Sequence, residues 1–123
     1  MPLLLDTNIL IEFLRQVPAA LAWFRSLEER PMMSAISVFE LYAGVRNQRE
    51  ERDVLALRHL VNCLPIGQEI AEDAGSNMRH FHKSHGIDIP DSIIAATAEQ
   101  HGLRLATLNV KHFQMFPKLK RAY

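Results

Sequence analysis

Pro2-Leu3-Leu4-Leu5-Asp6-Thr7-Asn8-Ile9-Leu10 decides the fold. A short continuous apolar run ends in three polar residues and a second apolar segment follows at once, a pattern that reads as strand, turn and helix. Leu3 to Leu5 do not alternate with polar residues, so a strand here is covered on both faces, as central strands of parallel sheets are. Asp6 then stands at the carboxyl end of a buried strand, the edge of an open α/β sheet where ligands bind. The plainer alternative is that Asp6 or Thr7 only caps the helix that begins near Asn8.

Downstream, Leu10, Phe13, Leu14 and Val17 have the spacing of one buried helix face, and Pro18 interrupts it. A second helix fits Ala19 to Glu29, with Ala22, Trp23 and Leu27 as its inner stripe; Trp23 lies on that stripe and is read as core. Met32 to Ala35 follows as a short strand. Ser37 and Glu40 then stand three apart, the spacing of a capping box. Against that reading, the surrounding helix is apolar almost all round, through Ile36, Val38, Phe39, Leu41, Tyr42, Ala43 and Val45. A carboxylate in such a buried helix needs a partner.

Residues 46–62 suggest an amphipathic helix with a mixed-charge outer face. Arg46 and Arg49 follow Glu40 closely enough to border a site and meet phosphates, although such a charge run is more often a solvated surface. Residues 61–66 suggest a short strand, and 68–85 a long helix with Ile70, Ala71, Ala74, Met78 and Phe81 inward. His80, His82 and His85 near its end invite a zinc hypothesis, but they lack a cysteine or HxxxH partner, and cations suit a helix C-terminus anyway. After a loop over 86–91, Ser92 to Gln100 reads as a helix stopped by Gly102. Asp91 falls at its start, where a plain N-cap role is the alternative. Leu103 to Thr107 is a last strand, so Asn109 repeats the position of Asp6. Lys111, Lys118, Lys120 and Arg121 leave a modest basic tail.

Composition bounds the function. The 123 residues suit one domain with a real core, residues 1–123. Lys plus Arg and Asp plus Glu each number 14, so net charge argues for no nucleic-acid partner and any such site must rest on a local patch. Cys63 is the single cysteine, which excludes an intramolecular disulfide and fits a reducing compartment; it is read as a small core residue. No apolar run approaches a membrane span and no leader pattern opens the chain, so a cytoplasmic protein without membrane contact is expected.

Asp6 and Asp91, with Glu40 on the helix leaving the second strand, converge on one sheet edge in this arrangement. Two carboxylates about 4 Å apart repel by about 4 kcal/mol at an effective dielectric near 20, so three need a compensating charge. The natural one is Mg²⁺ or Mn²⁺, hard cations that take oxygen ligands and keep several waters. Such a centre suits hydrolysis of a phosphodiester.

With these residues in view, the chain resembles the PIN-domain ribonucleases, specifically the VapC toxins of toxin–antitoxin pairs. The resemblance rests on Leu4-Leu5-Asp6-Thr7-Asn8, on Ser37 to Gly44 with Glu40-Leu41, on Asp91-Ser92-Ile93-Ile94-Ala95-Ala96-Thr97-Ala98, and on Thr107-Leu108-Asn109 with Lys111-His112-Phe113. It implies a three-layer α/β/α fold with a mainly parallel sheet and a Mg²⁺-dependent endoribonuclease, with tRNA as the suggested substrate. It also implies a homodimer and inhibition by a small VapB-type antitoxin. Asp6, Glu40 and Asp91 match the three acids of that family, as catalytic and metal-binding residues. Asn8, Thr107, Asn109 and His112 are accessory candidates, and Arg46, Arg49 and Lys111 are candidate phosphate contacts. Many members carry a fourth acid where this chain has Asn109 or His112. With neither an acid, three formal negative charges are expected, enough for one divalent ion.

Two rival classes are set against this. A response-regulator receiver wants adjacent acids after its first strand and a lysine after its last, whereas Asp6 is followed by Thr7 and Asn8. A PIN-like scaffold that binds RNA or protein without cutting is the other. Trp23, Phe24, Phe39, Tyr42 and Val45 exceed the needs of two short inner stripes, so some are expected at a homodimer interface or in an antitoxin groove.

Overall fold

The computed structural model describes residues 2–123, without the side chains of residues 82–85. Five strands form one parallel sheet: β1 (Leu3–Leu5), β2 (Met32–Ser34), β3 (Asn62–Leu64), β4 (Arg104–Thr107) and β5 (Leu119–Arg121). Their order is β3-β2-β1-β4-β5, and every pairing is parallel. Helices α1 (Thr7–Leu14), α2 (Pro18–Ser26), α3 (Ala35–Ala43), α4 (Gln48–Arg58), α5 (Gln68–His85) and α6 (Ile89–His101) cover the two faces, and a 3-10 turn spans Val110–Phe113. The architecture is the expected three-layer α/β/α arrangement.

The apolar run that opens the chain explains the layers. Successive strand residues face opposite sides, so Leu3 and Leu5 join Ile9, Leu10, Met33, Leu41, Val54 and Leu57 in one core. Leu4 joins Ile87, Ile94, Ala95, Ala98, Leu105 and Phe113 in the other. The small residues of α6 let it lie close to the sheet, and Ala95 and Ala96 are almost wholly buried. Gly102, at φ 63°, ends α6 in the left-handed conformation that glycine tolerates best. After β1 the chain moves to β2 and β3 on one side, then crosses to β4 and β5 on the other. The carboxyl ends of β1 and β4 therefore flank the switch point of the sheet, the place where open α/β sheets bind ligands.

Several sequence expectations are corrected. The Ser37–Glu40 capping box is not formed: α3 begins at Ala35, and Ser34 caps it by accepting from the Ile36 backbone N–H at 3.1 Å. Nor is α3 buried all round, since Phe39 is 65% exposed. Trp23, Phe24, Tyr42 and Val45 pack partly buried against their own core, so of those five residues only Phe39 offers a large free apolar surface. In α2 the buried alanine is Ala20, and Ala22 faces solvent. The helix expected over 46–62 is the shorter α4, ending at Arg58, and the strand expected within 61–66 is β3, where Cys63 is exposed and not buried. The basic tail contributes β5, with Lys120 and Arg121 still exposed. Among the histidines, His80 is exposed and its Nδ1 lies 2.8 Å from the Ser76 carbonyl oxygen; the side chains of His82 and His85 lie outside the described residues.

Candidate active site at the carboxyl edge of the sheet

Asp6 occupies the N-cap position of α1, yet its side chain makes no cap hydrogen bond. Its Oδ2 instead accepts from Thr107 Oγ1 at 2.7 Å across the β1–β4 junction, while its backbone N–H donates to the Ala106 carbonyl. The capping alternative for Asp6 is thereby removed. Thr107 is held in turn: its Oγ1 accepts the Asn109 backbone N–H at 2.9 Å. Burial pushes the Asp6 carboxyl above its usual range, and the negative charge of Asp88 adds to that push. The Thr107 hydroxyl, the Thr7 backbone N–H and His112 act the other way.

Glu40 reaches the same edge from α3. Thr7 Oγ1 donates to Glu40 Oε1 at 2.8 Å and lies 2.7 Å from Ser37 Oγ. Thr7 and Ser37 are both buried. The short loop after β1 thus fixes two acids at once, Asp6 by its own backbone and Glu40 through the next residue's hydroxyl. The Glu40 carboxyl is raised too, mainly by burial, with smaller contributions from Asp88 and Asp6.

The third acid enters at the N-terminus of α6. Asp91 is not the cap; Asp88 is, and its Oδ1 accepts the Asp91 backbone N–H at 3.0 Å. Pro90 fits this first turn because its missing N–H has no helical partner to lose, which is why the helix starts at Ile89 and not at Ser92 as expected. The Asp91 carboxyl is pushed up to about 7, first by burial, then by the charge and side-chain hydrogen bond of Asp88, then by Asp6; His112 opposes the rise. His112 Nδ1 stands 3.4 Å from Asp91 Oδ2 and 2.8 Å from Asn109 Nδ2.

Asp6, Glu40 and Asp91 are therefore brought together, with Thr107, Asn109 and His112 around them. Asn8 is exposed on the first turn of α1, Lys111 is exposed on the 3-10 turn, and Arg49 is exposed on α4. Arg46 is paired with Glu50 at 2.7 Å and lines a groove of about 390 Å³ between α1, α3 and α4, together with Ile11, Leu14, Arg15, Glu40 and Val45. The sequence reading missed Asp88, which makes four formal acids at this edge and not three. It also assigned Ser37 to a cap that Ser34 provides. The signal for Asp88 was legible as D-x-x-D, the spacing of a cap and the third residue of a helix.

All three expected acids carry carboxyls raised by burial and by like charge, so the metal-free site is under electrostatic strain that a cation relieves. The donors are oxygens, as a hard divalent ion requires. Among the described residues no group of three His, Cys, Asp or Glu side chains is placed to hold a metal ion by itself. Mg²⁺ needs none, because it takes one or two carboxylates and fills its shell with waters and substrate phosphate. The residues fit such an ion.

Comparison with known proteins agrees with this geometry. The PIN domain family matches residues 3–118. The chain is 42% identical over 121 residues to Ribonuclease VapC10 of Mycobacterium tuberculosis, covering 96% of this chain and 90% of the relative. It superposes on a chain of the toxin–antitoxin complex from Klebsiella pneumoniae with TM-score 0.84 at 29% identity, covering 98% and 97% of the two chains. FitAcB from Neisseria gonorrhoeae gives TM-score 0.74 at 33% identity, covering 98% and 97%. With a family match along nearly its whole length and these acids at its sheet edge, the chain belongs to the PIN-domain family, in its VapC branch.

Proposed function

We propose that this protein is a divalent-metal-dependent endoribonuclease, the toxin of a toxin–antitoxin pair, that hydrolyses RNA phosphodiesters. The observation that carries the reading is the convergence of Asp6, Glu40 and Asp91 at the sheet's switch point, each carboxyl raised by burial and neighbouring charge. Mg²⁺, with Mn²⁺ as substitute, would be held by Asp6 and Asp91 with Glu40 beside them. Such an ion lowers the pKa of a bound water and offsets charge on the phosphate.

The chain's own part in the reaction follows from the hydrogen bonds. Thr107 holds Asp6 in place, and the Asp88 cap holds the Asp91 backbone. Thr7 orients Glu40 with one oxygen occupied, leaving the other free to take a proton from an attacking water. Asn109 and His112, beside Asp91, would face the substrate phosphate, and exposed Lys111, Arg46 and Arg49 would offer cationic contacts along the RNA backbone. Arg46 must leave Glu50 to do so. Support for a partner comes from a structural neighbour solved as a toxin–antitoxin complex and from the part-apolar groove beside Glu40. A helix or extended segment of a VapB-type antitoxin laid there would cover Glu40, and exposed Phe39 suits either that contact or a homodimer.

Purified protein incubated with single-stranded RNA and with tRNA, in Mg²⁺ or in EDTA, tests the reading. Cleavage in Mg²⁺ that EDTA stops is expected. RNA that is bound but left intact favours the PIN-like scaffold. The Thr7 link gives a separate check. Thr7→Val leaves Ser37 and Glu40 short of a partner, so urea titration should find a stability loss of about 1–3 kcal/mol. Cleavage should fall about tenfold, the effect of a base no longer aligned for proton transfer. Thr7→Ser keeps the hydroxyl and should restore most of both; a Val variant as active as the parent would show that Glu40 needs no orienting group.

A further inference from the structure

We propose that Asp88 is a positioning residue of the cation site, holding the Asp91 backbone with one carboxylate oxygen while its charge deepens the negative field shared by Asp6, Glu40 and Asp91. This rests on the reading of the site as a divalent-metal centre. Asp88 sits in the loop between α5 and α6, at the carboxyl edge of the sheet, and its Oδ1 caps α6 at Asp91 N. Its backbone carbonyl accepts the Ser92 N–H at 3.0 Å, so the residue is fixed to the helix at two points. Its side chain is within hydrogen-bonding reach of the Asp91 carboxyl, and its charge acts on Asp6 and Glu40 as well.

A cap alone does not require this charge, because Ser or Asn caps a helix about as well as Asp. Placing a carboxylate here adds repulsion to three acids that already repel, a cost to the metal-free protein. The same charge becomes favourable once a divalent cation lies among them, since attraction to a doubly charged ion exceeds repulsion from each neighbour. Asp88 also supplies a fourth carboxylate at this edge, where Asn109 and His112 bring none.

Titration of the whole protein with Mn²⁺ by calorimetry, without RNA, tests this directly. Asp88→Ser and Asp88→Asn keep a cap and remove the charge. Both should weaken Mn²⁺ binding about tenfold at low salt, with less difference as salt screens the exposed charge. Their melting temperatures without metal should equal or exceed that of the parent, and Asp88→Glu should retain affinity. Asp6→Asn serves as the reference for a lost site. If Asp6→Asn loses binding while both Asp88 variants bind as the parent does, Asp88 is a cap only and this inference fails alone. If the parent itself binds no Mn²⁺, the metal reading fails and takes this inference with it. Variants that melt well below the parent would also overturn it, since they would show that the charge stabilises the metal-free fold.

Discussion

Asp6→Asn or Asp91→Asn is expected to lower RNA cleavage by roughly a thousandfold, the several kcal/mol of transition-state stabilisation that a metal centre supplies. The fold should not suffer. Asp6 is 4% exposed, and its carboxyl is destabilised by burial and by Asp88; a neutral amide of the same shape still accepts from Thr107 Oγ1 through its carbonyl oxygen. Replacing either acid removes a repelling charge, so the melting temperature of the metal-free variants should match or exceed the parent's. Glu40→Gln should behave in the same way, because Thr7 Oγ1 can still donate to the amide oxygen. Cleavage rates and thermal melts on the same preparations check both halves. Activity lost only together with folding would refute the account, since the acids would then be structural.

The second large effect is a pH dependence opposite to that of a protein held by salt-bridged carboxylates. Asp91 has its carboxyl raised from the ordinary value of 3.8 to about 7 in the folded chain. Between those values the folded state holds a proton on Asp91 that the unfolded state has released. Stability of the metal-free protein should therefore fall as pH rises from about 4 to about 7, and the loss should be complete above the folded value. Asp6 and Glu40 are raised as well and act in the same direction; Asp88 strengthens the effect and His112 opposes it. Thermal melts across this range in EDTA should show the decline, Asp91→Asn should flatten it, and Mn²⁺ should reverse it most strongly at the alkaline end. Metal-free protein that gains stability over the same interval would contradict the electrostatic picture.

Much of this was legible in the sequence because the strands are short and buried on both faces. Leu3 to Leu5 could be read as a central strand without any tertiary information, and with that strand placed, Asp6 had to fall at the sheet's carboxyl edge. Asp91 and Glu40 were found by their position after turn and strand signals and by the family resemblance. What the sequence hid was mostly a matter of one helical turn. Ser34 and Ser37 both precede an apolar helix, and only the backbone decides which one caps it; the answer freed Ser37 to meet Thr7, thirty residues away in the chain. Asp88 and Asp91 present the same ambiguity, and choosing Asp91 as the possible cap left Asp88 in a loop. β5 carries Lys120 and Arg121 and no apolar run, so it read as tail; it pairs because β4 offers an open edge. Cys63 was assigned to the core from residue type alone, whereas its strand lies at the other edge of the sheet.

The central claim is that this carboxylate cluster, loaded with a divalent ion, delivers a water to an RNA phosphodiester. The most direct test is the chemistry of the product ends. RNA cleaved by the protein in Mg²⁺ and oxygen-18 water, analysed by mass spectrometry at the earliest time points, should carry one heavy oxygen in a linear terminal phosphate. A 2′,3′-cyclic phosphate end would contradict the claim, because it would make the RNA's own 2′-hydroxyl the nucleophile and leave no role for a water activated among Asp6, Glu40 and Asp91.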